Sequence, residues 1–210
     1  MVASCLRRLA QLGVLLLALV VRLVAQQQAP APKPWFVYLR DGGQSPLYLF
    51  ASYSFGVPIV MIGTLVDTPH DYHEYLAGAG VNLFASNGNG ASVLALGSHA
   101  TDSWYLELYG LPNATVGKLN VTGFAGVYLP LERQGVHQYF LDPVTVLFRL
   151  HPKVALGGSY TIYKIEGLPA RQGAGPAVQV VIPYGTATVD ALAAIDHFVK
   201  ELRVTLQFVF

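Results

Sequence analysis

Apolar and polar residues alternate with a period of two along much of this sequence, which limits the folds that the chain can adopt. The alternation is clearest in three segments, Thr115–Leu129, Val154–Ile162 and Leu202–Phe210. Successive side chains of a β-strand point to opposite faces of the sheet. The pattern therefore predicts strands with one apolar face and one face that is more polar.

Segments of this kind, bounded by Gly, Pro, Asn and Asp, predict about twelve strands. They lie at residues 35–40, 46–55, 58–66, 80–86, 91–97, 103–110, 115–129, 138–150, 153–165, 176–183, 186–195 and 202–210. The eleventh segment allows a second interpretation. Its apolar residues, continued to Leu202, are also spaced as on one face of a helix, behind a capping Thr188 or Asp190.

Short and long connections alternate between the predicted strands. The short ones are Phe55–Pro58, Asn87–Gly90, Leu111–Ala114, His151–Pro152 and Pro183–Gly185. The longer ones are Asp41–Ser45, Asp67–Ala79, Ser98–Asp102, Pro130–His137, Glu166–Gly175 and Asp196–Glu201. An up-and-down antiparallel sheet with one trimmed end and one elaborated end has this layout, and an even number of strands places both termini at the trimmed end.

The N-terminal residues are typical of a secretory signal peptide. Arg7 and Arg8 precede the apolar stretch Leu12–Val21, which is shorter than the roughly 20 residues that a membrane-spanning helix needs. We predict a signal peptide over 1–25, with an uncleaved anchor as the alternative. Residues 26–34, rich in Pro, Ala and Gln, form a predicted linker, and 35–210 form one β domain.

Charge and cysteine content exclude several classes of function. The net charge is +1, charged residues make up 12% of the chain, and no run of Lys or Arg offers a surface for nucleic acid. Cys5 is the one cysteine, so neither a disulfide framework nor a thiolate metal site is expected. We expect no cofactor.

The C-terminal residues resemble the final strand of bacterial outer-membrane β-barrel proteins. Val204, Leu206, Phe208 and the terminal aromatic Phe210 occupy every second position. Residues 148–161 are also similar to a strand–turn–strand of that class. The resemblance implies an all-β, antiparallel, up-and-down transmembrane β-barrel of about 12 strands, with 8–12 possible. It also implies two partners, outer-membrane lipid and the barrel-insertion machinery, which reads the last strand.

Three functions are compatible with these features. The first is a non-enzymatic outer-membrane barrel, acting as a narrow channel or a surface structural protein, with loops 67–79 and 166–175 facing outward. The second is a secreted β-sandwich, a surface-fibre or adhesion subunit whose last strand adds to a neighbouring sheet. The third is a lipid-modifying barrel enzyme that uses Ser103 and His99 as nucleophile and base.

Candidate site residues are few. Glu107, Arg149 and Gln179 fall within predicted strands, where a barrel lumen would keep buried polar groups. Two histidines and neighbouring carboxylates in Asp67–Glu74 have the residue types of a metal site, but a metal needs three or four converging ligands. We therefore interpret this segment as a solvated loop and predict no metal site.

Deletion of Phe210 tests the barrel prediction. We expect the full chain, expressed in a Gram-negative host, to fractionate with outer membranes and to migrate differently in SDS gels before and after boiling. Loss of the terminal aromatic should abolish that mobility shift, since the predicted insertion signal is incomplete. A soluble protein whose mobility is unaffected by boiling would contradict the prediction.

Overall fold

The computed structural model describes residues 34–43, 45–101, 103–197 and 200–210. The predicted signal peptide, Cys5 and most of the predicted linker lie outside the described residues. Those assignments therefore stay predictions.

Twelve antiparallel strands form one closed barrel. The strands are β1 (Trp35–Gly42), β2 (Leu47–Ser54), β3 (Pro58–Asp67), β4 (Tyr72–Phe84), β5 (Gly90–Ala100), β6 (Ser103–Val116), β7 (Leu119–Pro130), β8 (Gln138–His151), β9 (Val154–Ile165), β10 (Arg171–Ile182), β11 (Gly185–Asp196) and β12 (Glu201–Val209). Each strand pairs with its neighbours in sequence, and β1 pairs with β12 from Phe36↔Val209 to Gly42↔Arg203. The predicted up-and-down barrel of twelve strands is confirmed, and the β-sandwich alternative is wrong.

The two faces of the sheet are inverted relative to a soluble protein. Large apolar side chains cover the outside, as in Ile62 and Leu202, which are 63% and 61% exposed. Charged side chains point inward, where Arg40 and Glu107 are fully buried. An apolar outer surface is compatible with the hydrocarbon core of a bilayer, and a closed sheet exposes no unpaired backbone edge to that core. Among the described residues, no helix is long and apolar enough to span a bilayer.

We define the lower end of the barrel as the end that carries the first and last described residues. There the backbone amides of Trp35 and Phe210 bond each other's carbonyl oxygens at 3.2 and 3.0 Å. The upper end is the opposite one, where β1 leads into β2 and where β11 leads into β12.

The predicted loop 67–79 is wrong, because most of it belongs to β4. The strand begins at Tyr72 rather than at residue 80, after a single 3-10 turn, Thr68–His70. In this strand Glu74 points inward and Tyr75 points outward. The apolar residues therefore do not all fall on one face, and the alternation does not reveal the strand. Gly78 and Gly80 look like loop residues but pair with β5 at Leu96 and Leu94.

The predicted turn Leu111–Ala114 is also wrong, since β6 continues through it to Val116. Pro112 cannot donate a backbone hydrogen bond, and it lies where the pairing of β6 with β7 is interrupted, between Gly110 and Asn113. The turn comes later, at Gly117, whose φ of 61° favours glycine.

The helical interpretation of the eleventh segment is wrong, because β11 is a regular strand. Thr188 and Leu192 point into the barrel, while Val189 faces outward. The tenth strand starts at Arg171 instead of 176, which leaves 166–170 as the connection. The connections at the upper end are shorter than predicted, but they include the longest one in the barrel, 131–137.

A charge on the outer face should destabilise the barrel. Leu108 is 44% exposed near the middle of β6, so Leu108→Arg should lower the free energy of unfolding in lipid vesicles by about 2–4 kcal/mol. The matched control is Glu132→Arg, in the 131–137 connection, which should change it little. Equal effects in a urea titration would contradict a lipid-facing Leu108.

Candidate functional site

A network of buried charges crosses the lumen between β1, β8 and β12. Asp142 receives two bonds from Arg40, one to its side chain at 2.6 Å and one to its carbonyl oxygen at 2.9 Å. Its other carboxylate oxygen accepts from Arg203 and from Thr161. Arg203 also donates to Glu201 at 2.8 Å. Two arginines and two carboxylates thus cancel in charge within one buried cluster, as buried charges require.

Hydroxyl and amide groups continue this polar side of the lumen toward the lower end. Ser159 links Thr145, at 2.9 Å, to the carboxylate of Asp190. Gln179 donates to the hydroxyl of Thr188 at 3.1 Å. The inward faces of β8 to β12 therefore form a continuous column of hydrogen-bonding groups.

Aromatic rings fill the opposite side of the lumen. The rings of Tyr109, Phe124 and Phe140 meet edge to face, with centroids 4.9 to 5.6 Å apart. This packing needs the small inward residue Gly126, where a Cβ would lie 2.3 Å from the Phe140 ring. The guanidinium of Arg40 lies 4.0 Å from the centroid of the Tyr48 ring and joins the two sides.

Two cavities lie above and below the charged network. The upper cavity has a volume of about 420 Å³ and reaches Tyr48, Tyr163 and Arg203. The lower cavity has a volume of about 80 Å³ and is bordered by Tyr38 and Asp190. Arg40 and Asp142 lie between these levels along their strands, so the network and the aromatic rings close the lumen midway.

Two carboxylate–imidazole hydrogen bonds lie at the upper rim. Glu166 accepts from the ring of His137 at 2.8 Å and from its backbone amide at 3.3 Å, which joins the connections after β7 and β9. These bonds hold the pKa of the Glu166 carboxyl below its ordinary value. Asp67 contacts His70 at 2.8 Å, and both border the upper cavity.

The structure separates the three predicted lumen residues. Glu107 is fully buried inside β6. Gln179 is half-buried, points inward and borders the lower cavity. Arg149 is exposed near the end of β8, beside the turn to β9, and its backbone amide bonds Lys118.

Val204, Leu206 and Phe208 of the predicted insertion signature lie on the outer face of β12, and Phe210 directly follows that strand. Val204 and Phe210 are 43% and 51% exposed, and Leu206 and Phe208 are half-buried. Phe208 and Phe210 stack with centroids 6.2 Å apart, beside Tyr184. They form an aromatic group at the lower end of the barrel, and their role in insertion stays a prediction.

Neither of the other chemical arrangements considered from the sequence forms. His70 and His73 contact different carboxylates, and Glu74 points into the lumen. Within the described ranges, no three His, Asp, Glu or Cys residues are placed to hold a metal. His99 lies on the outer face against Trp104, whereas Ser103 is buried inside, so the two do not form a nucleophile–base pair.

Sequence reasoning did not single out the residues of the charged network. Arg203 falls on the polar face of the last predicted strand, and Glu201 directly precedes that strand in the same alternation, so both could have been found from the sequence. Arg40 ends a segment whose neighbours are apolar on both faces, and Asp142 precedes Pro143. Only their position within strands, in a chain with few charges, could have indicated a buried role.

The barrel is similar to several solved outer-membrane porins. The KdgM porin in complex with disordered oligogalacturonate has a TM-score of 0.58 at 9% identity, covering 84% of this chain and 98% of that chain. The NanC porin has a TM-score of 0.55 at 10% identity, with coverages of 84% and 98%. Omp33 of Acinetobacter baumannii has 0.53 at 12% identity, with 85% and 99%.

The sequence itself matches no family model and no curated protein. The likeness is therefore one of fold, and it covers nearly the whole length of each porin. The chain has the fold of a bacterial outer-membrane β-barrel, as its apolar outer face and closed sheet require.

Removing the charge of Asp142 should destabilise the barrel. Asp142→Asn leaves two buried guanidiniums with one carboxylate, and we expect unfolding in urea to become easier by about 3–5 kcal/mol. Asp196→Asn is the matched control, because Asp196 is exposed at the end of β11. Similar midpoints for the wild type and the Asp142 variant would show that the network does not hold the lumen together.

Proposed function

We propose that the protein is a non-enzymatic channel of the bacterial outer membrane, closed in its resting state by the charged network. The observation that carries the proposal is the pair of cavities, one on each side of Arg40 and Asp142, along a continuous polar column. A structural barrel needs neither cavity. A solute that crosses needs only side chains to move, because the strands already enclose the path.

The network also sets the kind of solute. The two guanidiniums and the two carboxylates of its ion pairs cancel in charge at the narrowest level, and Asp190, opposite Arg203 on β11, is a further carboxyl group beside them. Selectivity in pores follows from lining groups and diameter. We therefore expect small polar solutes to pass with little discrimination by charge sign, and larger ones to be rejected by the tyrosine-lined upper cavity.

Outer-membrane lipid and the insertion machinery are the proposed partners. The outward aromatic group of Phe208 and Phe210, at the end of the strand that closes the barrel, supports this. Strand β12 carries the predicted insertion signature and also pairs with β1. Recognition of the signature by the insertion machinery would therefore be linked to closure of the barrel. Nucleic acid is not a proposed partner, since the chain has a net charge of +1 and no basic run.

Conductance in planar lipid bilayers tests the channel. The wild type should show small, brief openings. Arg40→Ala combined with Asp142→Ala removes one acid and one base together, enlarges the narrowest level and keeps its charge balanced. We expect a several-fold rise in single-channel conductance for this double variant.

The matched control is Glu132→Ala combined with Arg133→Ala, which removes an opposite-charge pair from the 131–137 connection and should leave conductance unchanged. Heat-modifiable migration in SDS gels checks that every variant is folded. If neither the wild type nor the double variant conducts, the channel proposal fails and a structural role at the surface is favoured.

A further inference from the structure

Three adjacent strands bring oxygen-bearing side chains together inside the barrel, apart from the charged network. Glu74 lies on β4, Ser98 on β5 and Glu107 on β6. In the strand register, Ser98 is opposite Leu76 and Tyr105, each two residues from one of the glutamates. The two glutamates are fully buried and Ser98 is 1% exposed. All three side chains therefore point into the same part of the lumen.

These two carboxyl groups have no basic partner. None of the ion pairs in the part of the chain that the structure describes includes Glu74 or Glu107. Asp142, in the same barrel, lies between two arginines. A buried carboxylate without compensation is costly, so the pair must be neutralised either by protons or by a bound cation.

The oxygens lie within hydrogen-bonding range of one another but are poorly aligned. Glu107 is close enough to Glu74, Ser98 and Tyr109 for side-chain hydrogen bonds, yet neither of its carboxylate oxygens has a partner with full hydrogen-bond geometry. The Ser98 hydroxyl and one Glu74 oxygen likewise have no partner. Buried polar atoms are almost always satisfied. Four convergent oxygens that are too poorly aligned to bond one another are suited to a ligand that all of them contact.

We propose that Glu74, Ser98 and Glu107 bind a divalent cation of the calcium type. Two carboxylates balance its charge, and oxygen-only ligands suit a hard cation. Calcium accepts irregular coordination and bidentate carboxylates, whereas magnesium demands a near-ideal octahedron. Zinc and copper favour imidazole or thiolate, and His99, the histidine next to Ser98, lies on the outer face.

The second oxygen of Glu74 connects the site to the lumen. It accepts hydrogen bonds from Tyr72 at 2.6 Å and from Tyr128 at 3.3 Å. Both tyrosines also border the upper cavity. The cation would enter from the upper end between these rings, and once bound it would join β4, β5 and β6. The site lies apart from the Arg40–Asp142 network, so cation binding can be tested separately from conductance.

Terbium luminescence tests the proposal directly. Tb³⁺ replaces Ca²⁺ at oxygen sites, and excitation of nearby tyrosines makes it luminesce. The full chain, folded in detergent and stripped of metal, should show saturable luminescence with one ion per chain, competed by Ca²⁺. Glu74→Gln combined with Glu107→Gln should abolish the saturable signal, while Glu132→Gln, in an exposed connection, should preserve it.

Ser98→Ala separates a ligand role from a structural one, because it leaves both carboxylates in place. We expect its apparent Ca²⁺ affinity to fall about tenfold while heat-modifiable migration is retained. Saturable binding that survives in the double glutamine variant would place the ion elsewhere and overturn the proposal. Absence of saturable binding by the folded wild type would overturn it too, and would indicate that protons neutralise the pair.

Discussion

The pairing of β1 with β12 is the contact on which the rest of the structure depends. In hydrocarbon no solvent can satisfy a free backbone group, so a sheet that spans a membrane must close on itself. Closure by the first and last strands makes every strand's alternate side chains face an enclosed lumen. The few charged residues on those faces must then find their partners inside the barrel, because lipid cannot provide them.

The lumen meets this requirement in two different ways. Between β1, β8 and β12, opposite charges neutralise one another, and the resulting network separates two cavities. Between β4 and β6, two carboxyl groups lie among tyrosine and aliphatic side chains with no basic residue bonded to them. The first arrangement closes the lumen between the two cavities. The second calls for a positive charge that the described residues do not supply.

The alternation of residues predicts a β protein of about twelve strands, with 8–12 possible, and the outward face of the last strand. The barrel class depended in addition on the C-terminal resemblance and on the layout of the connections. The alternation misplaces elements where Gly, Pro or Asn occur inside a strand. Pro112 looks like a turn residue, but it lies at a gap in the pairing with β7, where its missing amide costs nothing. Gly78 and Gly80 look like loop residues, but they let neighbouring strands approach closely. The intrinsic preference of a residue for a turn or a strand does not include such contacts with neighbouring strands.

The period-two pattern and the terminal Phe210 follow from the chain alone, because which residues alternate is a local property. Which inward residues meet is not local. Arg40 and Asp142 are 102 positions apart, and they pair only because twelve strands close with one particular register. The same holds for Glu74, Ser98 and Glu107, which lie on successive strands yet converge through the pairing of β4, β5 and β6. Long-range register decides these contacts, since a shift by one residue would turn each side chain toward lipid.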